Sequence, residues 1–147
     1  MAINLSKAFD CIPHAFILEK LKFYGMNEKS VSLLQSYLTS RYQRVKLAQN
    51  FSTWMGVSAG VPQGSLLGPL LFNIFMNDLV FAIKNGRLIN YADDSKLYLS
   101  HKDPLALQDG INQDLSNTTQ WFQQNGMIAN TDKYQAIVLG NKTQDSR

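Results

Sequence analysis

Two adjacent carboxylates, Asp93 and Asp94, stand between the largely apolar runs 88–92 and 96–99. Aspartate is a poor strand former and neighbouring negative charges repel, so a fold gains little by placing the pair there. A hard divalent cation gains more: Mg²⁺ takes oxygen ligands and is commonly held by one or two carboxylates together with substrate phosphates. Successive strand residues point to opposite faces, so one carboxylate is expected to coordinate directly and the other weakly or through water. The same pair also makes a plain solvated turn, and taken alone that is the reading it favours. A second segment is Gly60-Val61-Pro62-Gln63-Gly64-Ser65. Its glycines let the backbone come close to a ligand, and the helix that follows offers its N-terminus to an anion such as phosphate. The third, Asn4-Leu5-Ser6-Lys7-Ala8-Phe9-Asp10, sets a small residue and an aromatic ring at the end of a short apolar run.

The elements that must position these residues follow from hydrophobic spacing. Ala2, Ile3 and Leu5 make a β-like run so close to Met1 that a piece of a longer chain is expected. After a turn at Pro13 and His14, Ile17, Leu18, Leu21 and Tyr24 fall at helical spacing until Gly25. Asn27 can cap a second helix carrying Val31, Leu34 and Leu38 on one face. Segments 43–48 and 52–57 read as a hairpin with Asn50 between them. Leu67, Leu70, Leu71, Ile74 and Phe75 repeat as one helical face, with Pro69 tolerated in the first turn. Runs 88–92 and 96–99 read as strands turning at Asp93-Asp94. Leu107, Ile111, Leu115, Thr118 and Phe122 mark a long helix ending near Gly126, and a last strand is expected at 135–139 before a polar tail, 141–147.

Composition sets the outer bounds. The chain has 147 residues, 45% hydrophobic and 17% charged, which suffices for the core of one α+β domain. One cysteine, Cys11, excludes an internal disulfide. Lys7 and Asp10 interrupt what a secretory signal would need, and the most apolar stretch, 66–76, contains Gly68, Pro69 and Asn73. An intracellular location, nuclear or cytoplasmic, is therefore expected, with no membrane partner. A net charge of +3 permits a nucleic-acid partner without demanding one.

Taken together and in this order, the segments resemble the palm domain of a reverse transcriptase, nearest to the LINE-like, non-LTR retrotransposon group. Residues 4–10 look like motif A, usually D-x-S-K-A-F-D; GVPQGSLLGPLLF (60–72) looks like motif B; Tyr91-Ala92-Asp93-Asp94 is the YADD form of motif C; and 126–133 resembles motif D. The resemblance implies an α+β, palm-like antiparallel sheet of ferredoxin/RRM type with helices on one face. It spans residues 1–140 and joins dNTPs to a primer on an RNA or DNA template. Asp93 and Asp94 would hold two Mg²⁺ ions, or Mn²⁺ in their place, with Asp93 the more direct ligand. Phe9 would lie beneath the sugar of the incoming nucleotide and exclude a 2′-hydroxyl. Pro62, Gln63, Gly64 and Tyr91 would line the nucleotide pocket, and Lys133 would face the leaving pyrophosphate.

The sequence also departs from that pattern. Motif A begins with an aspartate five residues before the aromatic gate, and here the position is Asn4, a degenerate ligand with an amide oxygen but no charge. Asp10 falls one residue beyond the gate and does not replace it. Fingers, thumb and endonuclease regions of a parent polyprotein find no counterpart in these residues. The expectation is a partial reverse transcriptase domain, inactive as this isolated chain. The alternative is a non-catalytic nucleic-acid-binding remnant of a retroelement, and a generic α+β interaction domain is a third reading.

Overall fold

A computed structural model describes residues 1–140; the expected polar tail lies outside the described residues. In chain order the elements are β1 (Ala2–Ile3), α1 (Ala8–Cys11), α2 (His14–Phe23), α3 (Glu28–Leu38), β2 (Tyr42–Gln43), β3 (Lys46–Leu47), β4 (Asn50–Phe51) and β5 (Met55–Gly56). Then come α4 (Leu67–Met76), a 3₁₀ segment (Asn77–Ala82), β6 (Arg87–Tyr91), β7 (Asp94–Tyr98), α5 (Pro104–Gln124) and a 3₁₀ turn (Thr131–Lys133).

The helices start where the sequence supplies caps. Asn27 Oδ1 accepts the Ser30 N–H at 2.9 Å, and Asp103 Oδ1 accepts the Leu105 N–H at 3.0 Å with Pro104 opening the first turn of α5. Ser65 Oγ accepts the Gly68 N–H at 2.9 Å, ending the glycine-rich turn and starting α4. α4 is apolar on most sides, and its Leu71, Phe72, Phe75 and Met76 are buried. Burying a side chain of this size is worth roughly 1.5–3 kcal/mol, so α4 is the natural centre of the core. Around it pack Ile17, Leu18 and Leu21 of α2 and Trp121 and Phe122 of α5.

The sheet has the order β1-β7-β6, antiparallel throughout. Along β7, Ser95 and Leu97 are buried while Asp94, Lys96 and Tyr98 are exposed. One face of the sheet therefore meets the helices and the other is open, as the α+β reading expects. β1 pairs Ala2 with Lys96 and Ile3 with Ser95, and on its far side Ala2 bridges to Gln135 and Leu5 to Ala129.

Three expectations are corrected. The turn of the β6–β7 hairpin is not Asp93-Asp94 but Ala92-Asp93, because Tyr91 pairs with Asp94 and Ala92 takes the positive φ, 52°, of a two-residue turn. Asp94 is thus the first strand residue. Asn50 is not the loop between 43–48 and 52–57; Ala48 and Gln49 are, with φ 52° at Ala48, and Asn50 pairs with Leu47. That hairpin also carries a bulge: Gln43 pairs with Met55 and Lys46 with Phe51, so two residues on one strand face three on the other. The strand expected at 135–139 reduces to the single bridge at Gln135, and Ile137, Val138 and Leu139 stand exposed. An apolar run becomes a strand only where a neighbouring edge runs alongside it, and among the described residues this run meets β1 only at the Ala2–Gln135 bridge.

Candidate active site

The β1–β7 register brings the first and third chemical segments together. Ala2 and Ile3 pair with Lys96 and Ser95, and the next residues along, Asn4 and Asp94, line a common hollow. The loop after α5 closes the third side, since the Asn130 N–H donates to the Asn4 carbonyl at 2.9 Å and the Ser6 N–H to the Ile128 carbonyl at 2.9 Å. Asn4, Asp94, Lys96, Asp132 and Lys133 then line one hollow of about 350 Å³. Of the residues singled out in the sequence, Asn4, Asp94 and Lys133 share this hollow. Asp93 sits in the turn itself, half-buried, beside that hollow rather than in its lining.

The glycine-rich turn builds a second, larger hollow of about 560 Å³, lined by Lys7, Asp10, Arg41, Pro62 and Gln63 among others. Four hydrogen bonds tie this turn to motif A and the residues just after it. The Gly60 and Val61 N–H groups donate to the carbonyls of Ile12 and Phe9, both at 2.8 Å. Gln63 Nε2 donates to Asp10 Oδ1 at 2.9 Å. His14, buried, donates its Nε2–H to the Gly60 carbonyl at 2.7 Å. Gly60 is required by geometry, with φ at 85° and a Cβ there falling 2.9 Å from the backbone of Asp10.

Phe9 is half-buried and its ring stacks on Phe72 with centroids 4.3 Å apart, so core packing fixes its orientation. Gly64 is exposed with φ 79°. Tyr91 is 82% exposed on the open face of the sheet, opposite Asp94, and is in the lining of neither hollow. Pro62 and Gln63 are therefore together, while Gly64 and Tyr91 line neither hollow.

The donors suit a hard cation in kind but not in full charge. Asp93 and Asp94 offer carboxylate oxygens and Asn4 an amide oxygen, all appropriate for Mg²⁺. Among the described residues no group of three or more His, Cys, Asp or Glu is gathered to hold a metal ion.

Sequence reasoning passed over His14, Lys96 and Asp132, whose places depend on long-range contacts. It also passed over Asp114, which did leave a signal. A carboxylate between Ile111 and Thr118 on the apolar stripe of α5 is buried, and there it accepts the N–H groups of Lys84, Asn85 and Gly86 at 2.6–3.1 Å. Those bonds fasten the loop that leads into β6 and so help place the Asp93 turn.

Comparison with known proteins places this geometry. Residues 1–146 match the family described as reverse transcriptase (RNA-dependent DNA polymerase). The chain is 28% identical to the RNA-directed DNA polymerase from mobile element jockey of Drosophila melanogaster, over 96% of this chain and 16% of that protein. It is 32% identical to the probable RNA-directed DNA polymerase from transposon BS of the same fly, over 81% of this chain and 14% of that protein. With a Pol polyprotein from the type-1 retrotransposable element R2 of Popillia japonica it shares 26% identity over 93% of the chain and 24% of the relative. The chain thus spans less than a quarter of the length of these relatives. Among solved structures, telomerase from Candida albicans in complex with a fragment of telomeric RNA superposes with a TM-score of 0.70. That match covers 99% of this chain and 27% of the telomerase at 14% identity, a likeness of fold.

Proposed function

The chain belongs to the reverse transcriptase (RNA-dependent DNA polymerase) family, and from that premise we propose that it is the palm of a non-LTR retrotransposon polymerase, weakened at its metal site. The observation that supports this most is the register of β1 on β7, which brings Asn4 and Asp94 into a hollow that Lys133 also lines. The reaction is template-directed transfer of a deoxynucleotide to a primer 3′ end, with RNA or DNA as template and a dNTP as donor.

Asp93 and Asp94 would hold Mg²⁺ ions, with Asn4 offering its amide oxygen. When bound, such ions supply activation of the primer hydroxyl and neutralisation of the triphosphate. The remaining work belongs to the chain's own groups. Phe9, whose ring is held against Phe72, would lie beneath the sugar and exclude a 2′-hydroxyl. Gln63, anchored by Asp10, orients the nucleotide beside Pro62, with Gly64 and Tyr91 at the margin. Lys133 meets the charge that develops on the leaving pyrophosphate. Replacing a carboxylate by Asn4 removes one negative charge from the cation site, a loss for which several kcal/mol of transition-state stabilisation is ordinary.

A primer-extension assay with Mg²⁺, a primed RNA template and dNTPs tests this reading. The 147-residue chain is expected to give no robust extension. Asn4→Asp, placed in a full-length relative whose palm is exchanged for this one, is expected to raise extension well above the Asn4 parent. Robust extension by the isolated chain, or no gain from Asn4→Asp, would overturn it. The neutral Asn4 also favours a second reading, a nucleic-acid-binding remnant that has lost catalysis, which predicts template binding indifferent to Asn4→Asp.

A further inference from the structure

The two edges of the three-stranded sheet are not alike. On the outer side of β1, Ala2 bridges to Gln135 and Leu5 to Ala129, so that edge is already engaged. β6 forms the other edge, and four of its five residues are exposed. The direction of its backbone groups follows from the ladder. The Leu97 N–H donates to the Met1 carbonyl at 2.8 Å and the Met1 amino group to the Leu97 carbonyl at 2.6 Å, so Leu97, and with it Ser95, faces β1. Asp94, Lys96 and Tyr98 therefore face β6, where they pair with Tyr91, Ile89 and Arg87. The N–H and C=O groups of Leu88 and Asn90 are left pointing away from the sheet, and among the described residues no strand meets them. Such an edge is a template for another strand, and sheets commonly blunt it with proline, a bulge or several charges. β6 uses none of these. It holds no proline, its register with β7 runs without a bulge, and Arg87 is its one charge.

We propose that β6 is an interface with a second copy of this chain, β6 pairing antiparallel with β6 about a two-fold axis at Ile89. One register matches outward groups with outward groups along the whole strand. In it Leu88 faces Asn90 of the second copy and Asn90 faces its Leu88, and each pair exchanges both N–H···O bonds. A slip of one residue would set outward groups against inward ones, and a slip of two would shorten the overlap. The side chains of the open face agree with this register. Arg87 lies across from Tyr91 of the second copy at either end, a cation beside a ring, and Ile89, 55% exposed, meets its own counterpart. No like charges are opposed along the strand. Just beyond it Gly86 meets Ala92, and both are small. A strand from another protein would have to supply both a ring for Arg87 and a cation for Tyr91, which a second copy brings by symmetry. The inference goes beyond the polymerase reading, since it uses neither Mg²⁺ nor a template.

Sedimentation velocity of the 147-residue chain in EDTA, over concentrations from about 5 to about 200 μM, tests it. An edge of this length buries little surface, so the dimer is expected to be weak, with Kd on the order of 10–100 μM. Asn90→Pro removes an outward N–H, which an edge strand tolerates, and should leave the chain folded but monomeric throughout. Ile89→Glu sets two carboxylates against each other at the axis and should weaken the dimer at least tenfold. A non-hydrogen-bonded pair holds its Cα atoms about 4.5 Å apart, within reach of a disulfide. In a Cys11→Ser background, Ile89→Cys should therefore give a covalent dimer on mild oxidation, whereas Tyr98→Cys, one strand further in, should stay monomeric. That readout stands even if Asn90→Pro unfolds. A chain monomeric at every concentration leaves the edge to a strand of another protein and overturns the proposal. A dimer that survives both Asn90→Pro and Ile89→Glu overturns it too, as does cross-linking no faster at 89 than at 98. Primer extension does not enter the test, so its failure and that of the polymerase reading are distinguishable.

Discussion

Asp114 shows what one buried charge does for the site at a distance. Burial alone would raise its pKa, but the N–H groups of Lys84, Gly86 and Asn85, with the Asn85 side-chain amide, outweigh that and hold the carboxyl below the ordinary aspartate range. A carboxyl whose folded pKa is depressed contributes stability that is fully present above its unfolded value. That contribution is lost as pH falls through the folded value. Below about pH 4 the loop before β6 is accordingly expected to loosen first. Asp114→Asn keeps the shape but turns an acceptor into a donor facing N–H groups, at a cost on the order of 2–4 kcal/mol. Urea unfolding at pH 7 should show that loss, and the variant's stability should vary less than the parent's between pH 5 and 2. An unchanged acid limb would mean the carboxylate is not what holds the loop. In the sequence Asp114 could be seen as an oddity on an apolar stripe, but its partners lie 28–30 residues earlier in a loop whose path no periodicity encodes.

At the level of the elements, local chemistry was legible and placement to the residue was not. The helices around Leu21, Leu34, Leu71 and Phe122 follow from apolar spacing and visible caps. The two hairpins were foreseen, yet each turn is displaced, because an alanine occupies the left-handed position where Asp or Asn is the better former. The strand expected at 135–139 failed because an apolar run shows what a strand would bury, not whether an edge is there to receive it. The glycine-rich turn is the element that most depends on special backbone, and its two glycines can be separated by substitution. Gly64→Ala meets only an unfavourable dihedral, since nothing lies within 4 Å of its Cβ, and should cost about 1 kcal/mol. Gly60→Ala adds a 2.9 Å contact with the Asp10 backbone and should cost on the order of 3 kcal/mol while parting Gln63 from Asp10. At ~3 °C per kcal/mol the two are distinguishable by thermal melting. Equal losses would show that Gly60 is kept for its dihedral alone.

For the molecule as a whole, the question is how distant segments make one site. Asn4, just after β1, and Asp94, at the start of β7, lie 90 residues apart in sequence and are brought together by the pairing of β1 with β7. The motifs could be recognised from contiguous residues, but their convergence is a product of topology, as is the docking of residues 128–130 against 4–6. On the proposed reading Asn4 stands uncharged at one corner of a palm whose backbone is kept, and this separates architecture from charge in a testable way. Asn4→Asp sets a second carboxylate across from Asp94, and like charges opposed across strands destabilise by roughly 0.2–1 kcal/mol. In EDTA the variant should therefore melt a few degrees below the parent. In Mg²⁺ the order should reverse, because a cation that binds only the folded chain stabilises it by RT ln(1 + [L]/Kd), about 1.4 kcal/mol at ten times Kd. The parent should gain less, and Asp93→Ala introduced together with Asn4→Asp should remove the gain. A variant that melts lower in both buffers would show that the hollow between β1 and β7 does not assemble a cation site, with no need to measure polymerisation. Reversal on Mg²⁺ would instead mean that a single charge separates this chain from a competent metal site, since the backbone that would carry it is already in register.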